Sequence, residues 1–171
     1  MQGRRVFKLL ASSFPLFLAL AQLAPGQTND PRYRAEGYGF FSPAGTGSSL
    51  GVGFGGDLHL RAGLYAGVDL AGESPNWTLS FGHDEPGYGL ASADLSYHFL
   101  TPNKRVEPFA EGGYTIDFGH GQANTYNLGG GVAVWFTRHL AFRPEIRYYD
   151  RVLGFPPPRE ILTFRLGLAF R

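Results

Sequence analysis

Hydrophobic residues alternate with small or charged ones along Leu162 to Arg171, ten positions without a break. One face carries only large apolar side chains, those of Leu162, Phe164, Leu166, Leu168 and Phe170. The opposite face carries Thr163, Arg165, Gly167, Ala169 and Arg171. A period of two is that of a β-strand whose two faces meet different surroundings. The pattern predicts a strand of a membrane β-barrel, with lipid outside and a narrow polar interior.

Eight segments with strand-like patterns follow one another along the chain. Their ranges are 33–42, 49–60, 62–73, 87–100, 106–118, 124–137, 140–150 and 160–171. Each is close to the ~9–11 residues that a tilted strand needs to cross a bilayer. The connections are short after the even strands and longer after the odd ones, as in bacterial outer-membrane barrels. We therefore predict an all-β fold: an eight-stranded antiparallel up-and-down transmembrane β-barrel.

Two features complicate this assignment. Residues 77–81 (WTLSF) have the composition of a ninth strand, but an odd number would break the alternation of connections. We interpret them as a hairpin extension beyond the membrane. Pro108 and Pro144 lie inside candidate strands, where each proline removes a donor from the hydrogen-bond ladder. A bulge near a short turn would accommodate each of them.

The composition of the polar face decides which face is outside. In a soluble lipocalin-like barrel the apolar face would line a ligand cavity, and in a membrane barrel it would face lipid. The polar face here contains glycine and alanine as well as charge, for example Gly129, Gly131 and Ala133. Glycine weakens a strand and has no use on a watery surface. The narrow lumen of an eight-stranded barrel, however, needs small residues beside long ones. This favours the membrane barrel over the soluble one.

The same face carries arginines and carboxylates at positions where they can pair. We predict a structural charge network in the lumen, formed by Arg143, Glu145, Arg147, Arg165, Glu107, Glu111, Asp69 and Asp94. Buried arginines and carboxylates are tolerated when they pair with each other, especially through two parallel hydrogen bonds. The sequence therefore predicts a plugged lumen that conducts ions poorly.

The N-terminal segment has the layout of a secretory signal peptide. Arg4, Arg5 and Lys8 form a basic start, residues 9–20 form an apolar run, and Ala21 ends a small-x-small cleavage site. The run is shorter than the ~20 residues of a spanning helix. We predict a signal peptide over 1–21, a periplasmic lead-in over 22–32 and the barrel over 33–171, exported by the general secretory route. A retained anchor helix is the alternative.

Charge and composition exclude some partners. The full chain carries 15 Lys plus Arg and 14 Asp plus Glu, for a net charge of +1. Removing the three basic residues of the signal leaves 12 against 14, a net charge of −2. Nothing in this balance indicates nucleic-acid binding. Lys104 is the only lysine after the signal, which suggests that much of the surface is not in water. Cysteine is absent, so disulfides and thiolate metal sites are excluded.

Aromatic residues fall into two groups near the strand ends. Those near the short connections are Tyr97, Phe99, Phe136, Phe142 and Phe170. Those near the long connections are Tyr38, Phe118, Tyr126 and Tyr148. Two such belts are expected at the two interfaces of a membrane, where aromatic rings settle at headgroup level.

Two strands carry a family resemblance. Residues 106–114 (VEPFAEGGY) and 140–148 (LAFRPEIRY) resemble the fifth and seventh strands of small outer-membrane β-barrel proteins of the OmpA/OmpX type. The resemblance spans the mature chain and implies a Gram-negative outer membrane, with lipid and lipopolysaccharide as surroundings. It also implies that Phe170 is an insertion signal read by the barrel assembly machinery. In that family the signal ends on the aromatic residue, whereas here Arg171 follows.

The chemistry-bearing motifs favour a non-enzymatic role. Residues 51–56 (GVGFGG) keep the strand period and do not open a helix, so they do not form a dinucleotide loop. A lipid A deacylase barrel, the enzymatic alternative, would need a His-x-Ser pair facing lipid, and the comparable stretch 147–151 has neither residue. We predict no catalytic residue, no cofactor and no metal site. The expected role is structural or loop-mediated, with Trp77, Phe81 and Phe155 as interaction candidates for an unknown extracellular ligand.

Overall fold

The computed structural model describes residues 35–45, 50–74, 88–99, 101–102, 105–118, 123–153 and 161–171. Eight strands lie within these ranges: β1 (Ala35–Gly45), β2 (Leu50–Arg61), β3 (Leu64–Ser74), β4 (Tyr88–His98), β5 (Val106–Phe118), β6 (Ala123–Trp135), β7 (Leu140–Leu153) and β8 (Ile161–Phe170). Each strand pairs antiparallel with its sequence neighbours, and β1 also pairs with β8. The sheet therefore closes into the predicted eight-stranded up-and-down barrel.

The predicted contrast in connection length holds only in part: 46–49 and 119–122 have four residues each, as 136–139 does, and 99–105 has seven. We keep short-turn end and long-loop end as names for the two ends. At the short-turn end, Ala62 and Gly63 join β2 to β3, residues 99–105 join β4 to β5, and residues 136–139 join β6 to β7. At the opposite, long-loop end, the connections 46–49, 75–87, 119–122 and 154–160 lie outside the described residues. So do the predicted signal peptide and lead-in, and the segment 77–81. Within the described ranges, no helix is long and apolar enough to cross a membrane.

Large apolar side chains cover the outside of the barrel. Among the described residues, 22 large hydrophobic side chains are exposed, and Phe54, Val68 and Phe136 are each more than 60% exposed. Soluble monomers rarely expose a continuous apolar surface of this extent, because its hydration is unfavourable. A bilayer solvates it. The fold is therefore a transmembrane β-barrel, and the soluble lipocalin-like alternative is wrong because the apolar face does not line a cavity.

Neither proline lies in a bulge, so that prediction is wrong. Pro108 pairs with Val132 in regular register. Its carbonyl accepts a hydrogen bond from the backbone N–H of Phe99, just past the end of β4, so the missing donor falls where the ladder stops. Pro144 pairs with Leu166 on β8. On its other side, the β6–β7 ladder omits two pairs between Gly131 and Val134 and continues in the same register. The ladder thus loses bonds at Pro144 without shifting.

The first strand places its aromatic residues inside the barrel. Tyr38 and Phe40 are only 4% and 9% exposed and belong to the buried core, together with Ala133 and Trp135. Tyr38 was expected in the aromatic belt at the long-loop end, and that assignment is wrong. Gly37 and Gly39 take the outward positions of β1 instead. Aromatic rings therefore occupy two inward positions of this strand, where they stack on lumen arginines. Glu36 and Ser42 still face inward, and Phe41 is exposed on the outer face.

The charged lumen as candidate functional site

Buried charged residues from seven strands, all except β6, fill the middle of the barrel. We call this set the lumen network; its members are Glu36, Asp57, Asp69, Asp94, Glu111, Arg143, Glu145, Arg147 and Arg165. All are at most 7% exposed. The structure brings together seven of the eight residues expected from the sequence and adds Glu36 and Asp57. The eighth, Glu107, lies in a separate cluster at the short-turn end.

Arg147 lies at the centre of the lumen network and is fully buried. Its Nη1 atom lies 2.7 Å from Asp69 Oδ2 and 3.0 Å from Asp94 Oδ2. Its Nη2 atom lies 2.5 Å from Glu111 Oε1, and its Nε atom lies 2.9 Å from Glu145 Oε1. One guanidinium therefore joins β3, β4, β5 and β7. This is the multidentate arrangement for which the planar fork of arginine is suited.

Arg143 lies closer to the short-turn end and is held by both charge and aromatic rings. Its Nη1 atom is 2.9 Å from Asp57 Oδ2 and 3.3 Å from Glu36 Oε1. Its guanidinium carbon lies 4.1 Å from the ring centre of Tyr38 and 4.2 Å from that of Phe109. Both rings are within the range of a cation–π interaction. The buried aromatic residues of β1 and β5 thus take part in holding the charge.

Arg165 connects the network to β8. Its Nη1 atom is 3.2 Å from Asp69 Oδ2 and 3.5 Å from Glu145 Oε1. Its Nη2 atom donates a hydrogen bond to the Tyr149 hydroxyl. Its guanidinium carbon lies 4.1 Å from the Phe40 ring centre. Asp69 and Glu145 therefore each contact both Arg147 and Arg165. Glu111, which contacts Arg147, also lies 3.5 Å from Arg143 Nη2 through its Oε2 atom, so the three arginines form one connected system.

Glycine residues on β6 leave room for these long side chains. Gly129 pairs with Arg147, and Gly131 pairs with Glu145. A Cβ atom at Gly129 would lie 2.8 Å from the Ile146 carbonyl oxygen and 3.0 Å from Glu111 Oε1. Such contacts are too close, so a larger residue would displace Glu111 from Arg147. The glycine on the polar face thus has the packing role that the sequence indicated.

Uncharged polar residues extend the network toward the long-loop end. Asn127 Nδ2 donates to Asp94 Oδ1 at 2.7 Å and to Thr115 Oγ1 at 2.9 Å. The Ser92 and Thr115 hydroxyl oxygens are 3.0 Å apart, and the Thr125 hydroxyl donates to the Thr115 carbonyl. The lumen is therefore filled by paired polar side chains well beyond its charged centre.

A second cluster closes the short-turn end around Glu107. Its Oε1 atom lies 2.9 Å from Nδ1 of His98. Its Oε2 atom accepts hydrogen bonds from Trp135 Nε1 at 3.0 Å and from Arg171 Nη1 at 3.1 Å. The Arg171 guanidinium also stacks on Trp135, 3.6 Å from its ring centre. We call these four residues the Glu107 cluster; it joins β4, β5 and β6 to the residue that follows β8.

Carboxyl groups outnumber guanidinium groups in the lumen network. It contains six carboxyl groups, from Glu36, Asp57, Asp69, Asp94, Glu111 and Glu145, and three guanidinium groups. Several buried polar atoms, including Asp69 Oδ1 and Arg143 Nε, have no hydrogen-bond partner. Within the described residues, no group of three or more His, Asp or Glu side chains is arranged to hold a metal ion. Chemically, the arrangement is a cross-braced polar core.

The other residues singled out from the sequence lie away from the lumen. Phe170 ends β8, pairs with Gly37 and Leu140, and is 60% exposed on the outer face. Trp77, Phe81 and Phe155 lie outside the described residues. Sequence reasoning missed Glu36 and Asp57 as partners of Arg143. Each of them lies an even number of residues from other inward-facing residues of its own strand. This spacing could have placed both side chains in the lumen.

Comparisons with solved structures agree with this architecture. The chain is similar to the N-terminal β-barrel domain of Pseudomonas aeruginosa OprF, with 18% identity, a TM-score of 0.58, and coverage of 80% of this chain and 95% of that one. Neisserial surface protein A gives 12% identity, a TM-score of 0.60, and coverage of 80% and 94%. The outer membrane enzyme PagL gives 12% identity, a TM-score of 0.52, and coverage of 80% of this chain and 99% of that one. These similarities show the fold. No family model and no curated protein matches the chain.

Proposed function

We propose that this chain is a non-enzymatic outer-membrane β-barrel of the OmpA/OmpX type, with a plugged lumen and a structural or loop-mediated role. The observation that carries the proposal is the lumen network, whose three arginines are at most 2% exposed. Ion pairs that connect opposite walls brace the barrel and obstruct passage through it. The outer apolar surface, at the same time, commits the barrel to a membrane.

The proposed orientation places the short-turn end in the periplasm and the long-loop end outside the cell, as in bacterial barrels generally. The predicted signal peptide would deliver the chain by the general secretory route of a Gram-negative bacterium. The exposed aromatic ring of Phe170, at the end of β8, would be read by the barrel assembly machinery. Membrane lipid and lipopolysaccharide would then surround the apolar face.

Cell fractionation followed by gel electrophoresis tests the localisation. The expected result is that the chain separates with the outer membrane and migrates differently before and after boiling, because a closed barrel stays folded in detergent. Recovery in the soluble periplasmic fraction, with one migration position, would overturn the proposal.

Single-channel recording in planar bilayers tests the plugged lumen. We expect no stable conductance from the wild-type barrel, because its centre is occupied by the lumen network. A reproducible large conductance from the folded protein would show that the lumen is open. A matched sample of boiled protein controls for leaks that do not depend on the folded barrel.

The absence of catalysis is tested through lipid A. The described residues include three of the five histidines: His59 and His98 follow the inward alternation of their strands, and His139 lies in a turn. This supports the non-enzymatic proposal, since a lipid A hydrolase needs a histidine beside the lipid. Expression in a bacterium should leave the mass of lipid A unchanged. Loss of an acyl chain, abolished by His83→Ala or His120→Ala, would favour the enzymatic alternative.

The long connections are the proposed interaction sites. Trp77, Phe81 and Phe155 lie in 75–87 and 154–160, the two longest connections at the long-loop end. Replacing each of these connections with a glycine-serine linker should leave the heat-dependent gel shift unchanged. If the loops carry the role, the same replacement should abolish any binding to cells or matrix proteins that the wild-type barrel shows.

A further inference from the structure

Basic residues mark every turn at the short-turn end. Arg61 precedes the β2–β3 turn, Arg105 ends the β4–β5 connection together with Lys104, and Arg138 lies in the β6–β7 turn. None of the segments 61–63, 99–105 and 136–139 contains an aspartate or glutamate. The side chains of Arg61, Arg105 and Arg138 are exposed. We call these three residues the basic ring.

The backbone fixes the positions of the basic ring. Ala62 and Gly63 both have positive φ, 48° and 80°, as in a tight two-residue turn that leaves Arg61 beside it. In the β6–β7 turn the Thr137 hydroxyl accepts hydrogen bonds from the backbone N–H of His139 at 3.1 Å and of Leu140 at 3.0 Å. The Arg105 carbonyl accepts a bond from Trp135 N at 2.7 Å. A tight turn or hydrogen bonds therefore hold the backbone at or next to each of the three arginines.

Each turn that carries one of these arginines also contains or adjoins an exposed apolar side chain of the outer face. Leu60 precedes Arg61 and is 53% exposed, Phe136 is 61% exposed two residues before Arg138, and Phe99 is 42% exposed in the connection that ends at Arg105. In a bilayer these apolar groups lie at the boundary between acyl chains and headgroups, where the aromatic belt is expected. A long arginine side chain beside them extends to the level of the headgroups.

The basic ring is spread around the barrel. Its members belong to turns that recur at every second strand, so neighbours are on the order of 10 Å apart along the sheet. At the other end of the barrel, the described strand ends carry three carboxylates, Glu73, Asp117 and Asp150, and one arginine, Arg151. Asp150 accepts a hydrogen bond from Tyr126 at 2.7 Å. The positive charge is thus concentrated on one rim of the apolar surface.

We infer that the basic ring binds the headgroups of anionic phospholipids in the periplasmic leaflet. The inference rests on the proposed membrane insertion and orientation. Charge complementarity selects an anionic partner, and each arginine near the membrane surface contributes to its attraction. The apolar neighbours of the arginines select the lipid of the same leaflet over the cell-wall polymer farther away. Anionic lipid thereby anchors the short-turn end at a fixed depth.

Native mass spectrometry of the full mature chain in neutral detergent tests this inference. Phosphatidylglycerol and phosphatidylcholine are titrated onto the wild type, the double variant Arg61→Gln/Arg138→Gln and the control Arg159→Gln. Arg105 is not substituted in this test, because it also makes an interaction within the barrel. We expect the wild type to prefer phosphatidylglycerol and the double variant to bind it about 25-fold more weakly, about fivefold per arginine. Arg159→Gln removes one positive charge from the β7–β8 connection and should leave the affinity unchanged, whereas the loss of one arginine of the basic ring should lower it about fivefold.

Three results would overturn the inference. The first is unchanged phosphatidylglycerol affinity in the double variant. The second is full competition by soluble glycerol phosphate, which would indicate recognition of free phosphate. The third is that the double variant no longer cosediments with purified peptidoglycan, as the wild type does, but keeps the lipid affinity of the wild type. Heat-dependent gel migration of each variant is measured first. A wild-type chain that fails this test counts against the proposed function, whereas a folded wild-type barrel without lipid preference counts against the basic ring alone.

Discussion

Arg147 on β7 and Asp69 on β3 meet across the full width of the barrel, with 2.7 Å between Nη1 and Oδ2. In a ring of eight strands, β3 and β7 are four strands apart in both directions, and so they face each other. A contact between opposite walls requires the lumen to be narrow and the side chain to be long. The pair thus resists both widening and collapse of the barrel.

Replacing Arg147 with methionine should destabilise the barrel by about 3–5 kcal/mol, because it leaves buried carboxylates without their counterion. The measurement is urea unfolding in phospholipid vesicles, followed by gel migration of the folded form. Arg147→Lys keeps the charge but loses the planar fork, so its loss of stability should be intermediate. Equal urea midpoints for the methionine variant and the wild type would contradict the central role of Arg147.

Replacing Asp94 with asparagine should lower the free energy of unfolding much less than Arg147→Met does, by about 1 kcal/mol or below. Carboxyl groups outnumber guanidinium groups in the lumen network by six to three, so removing one negative charge leaves every arginine with partners. The oxygen that faces Arg147 is also retained by the amide. The same urea series measures the difference. If Asp94→Asn lowered the free energy of unfolding as much as Arg147→Met does, the excess of carboxyl groups over guanidinium groups would not explain the predicted difference between the two variants.

Alternation, strand length and the composition of the polar face together predicted the number of strands, the closure of the barrel and the outward face of β8. The face of Tyr38 was not predicted, because β1 carries aromatic rings at inward positions and glycines at outward ones. Its Glu36 and Ser42 share the face of Tyr38, and these polar positions were the reliable signal. A polar residue in the lumen has specific partners, whereas an aromatic ring is stable both in lipid and against a guanidinium.

The partners of Arg143 show a second limit of sequence reasoning. Asp57 is on β2 and Arg143 is on β7, and nothing local to either strand indicates that they are level with each other. Their contact depends on the stagger accumulated around the closed sheet. Glu107 was placed in the same network for the same reason, although the structure puts it in a cluster of its own. Local sequence shows which face of the sheet a residue lies on. It does not show how far along the barrel axis the side chain lies.

The two rings that enclose Arg143 should contribute measurably to stability. Tyr38→Leu removes one ring from the cation–π sandwich and should destabilise the barrel by about 1–2 kcal/mol. Tyr38→Phe keeps the ring and should stay within about 0.5 kcal/mol of the wild type. Urea unfolding in vesicles measures both. A Tyr38→Phe variant as unstable as Tyr38→Leu would assign the effect to the hydroxyl group and not to the ring.

The Glu107 cluster should keep the short-turn end closed to solvent. Glu107→Leu leaves the Trp135 indole N–H and the Arg171 guanidinium without their acceptor, at a cost of about 2–3 kcal/mol. In a Trp77→Phe background, Trp135 is the only tryptophan, so its fluorescence reports on this end alone. Quenching of Trp135 by iodide should increase in the leucine variant. Glu107→Gln keeps an acceptor oxygen and should show less quenching; identical behaviour of both variants would exclude the hydrogen bonds as the cause.

The β2–β3 turn offers a stabilising substitution. Ala62 has a φ of 48°, a left-handed conformation that is unfavourable for a residue with a Cβ and no local hydrogen-bonding group. Asparagine tolerates this conformation, and Asn-Gly is the preferred pair for a two-residue hairpin turn. Ala62→Asn should therefore raise the free energy of unfolding by about 0.5–1 kcal/mol. Gly63→Ala, at a φ of 80°, should lower it. A neutral result for both would mean that the turn relaxes to another geometry in the membrane, because neither substitution would then meet the strain that the two φ angles describe.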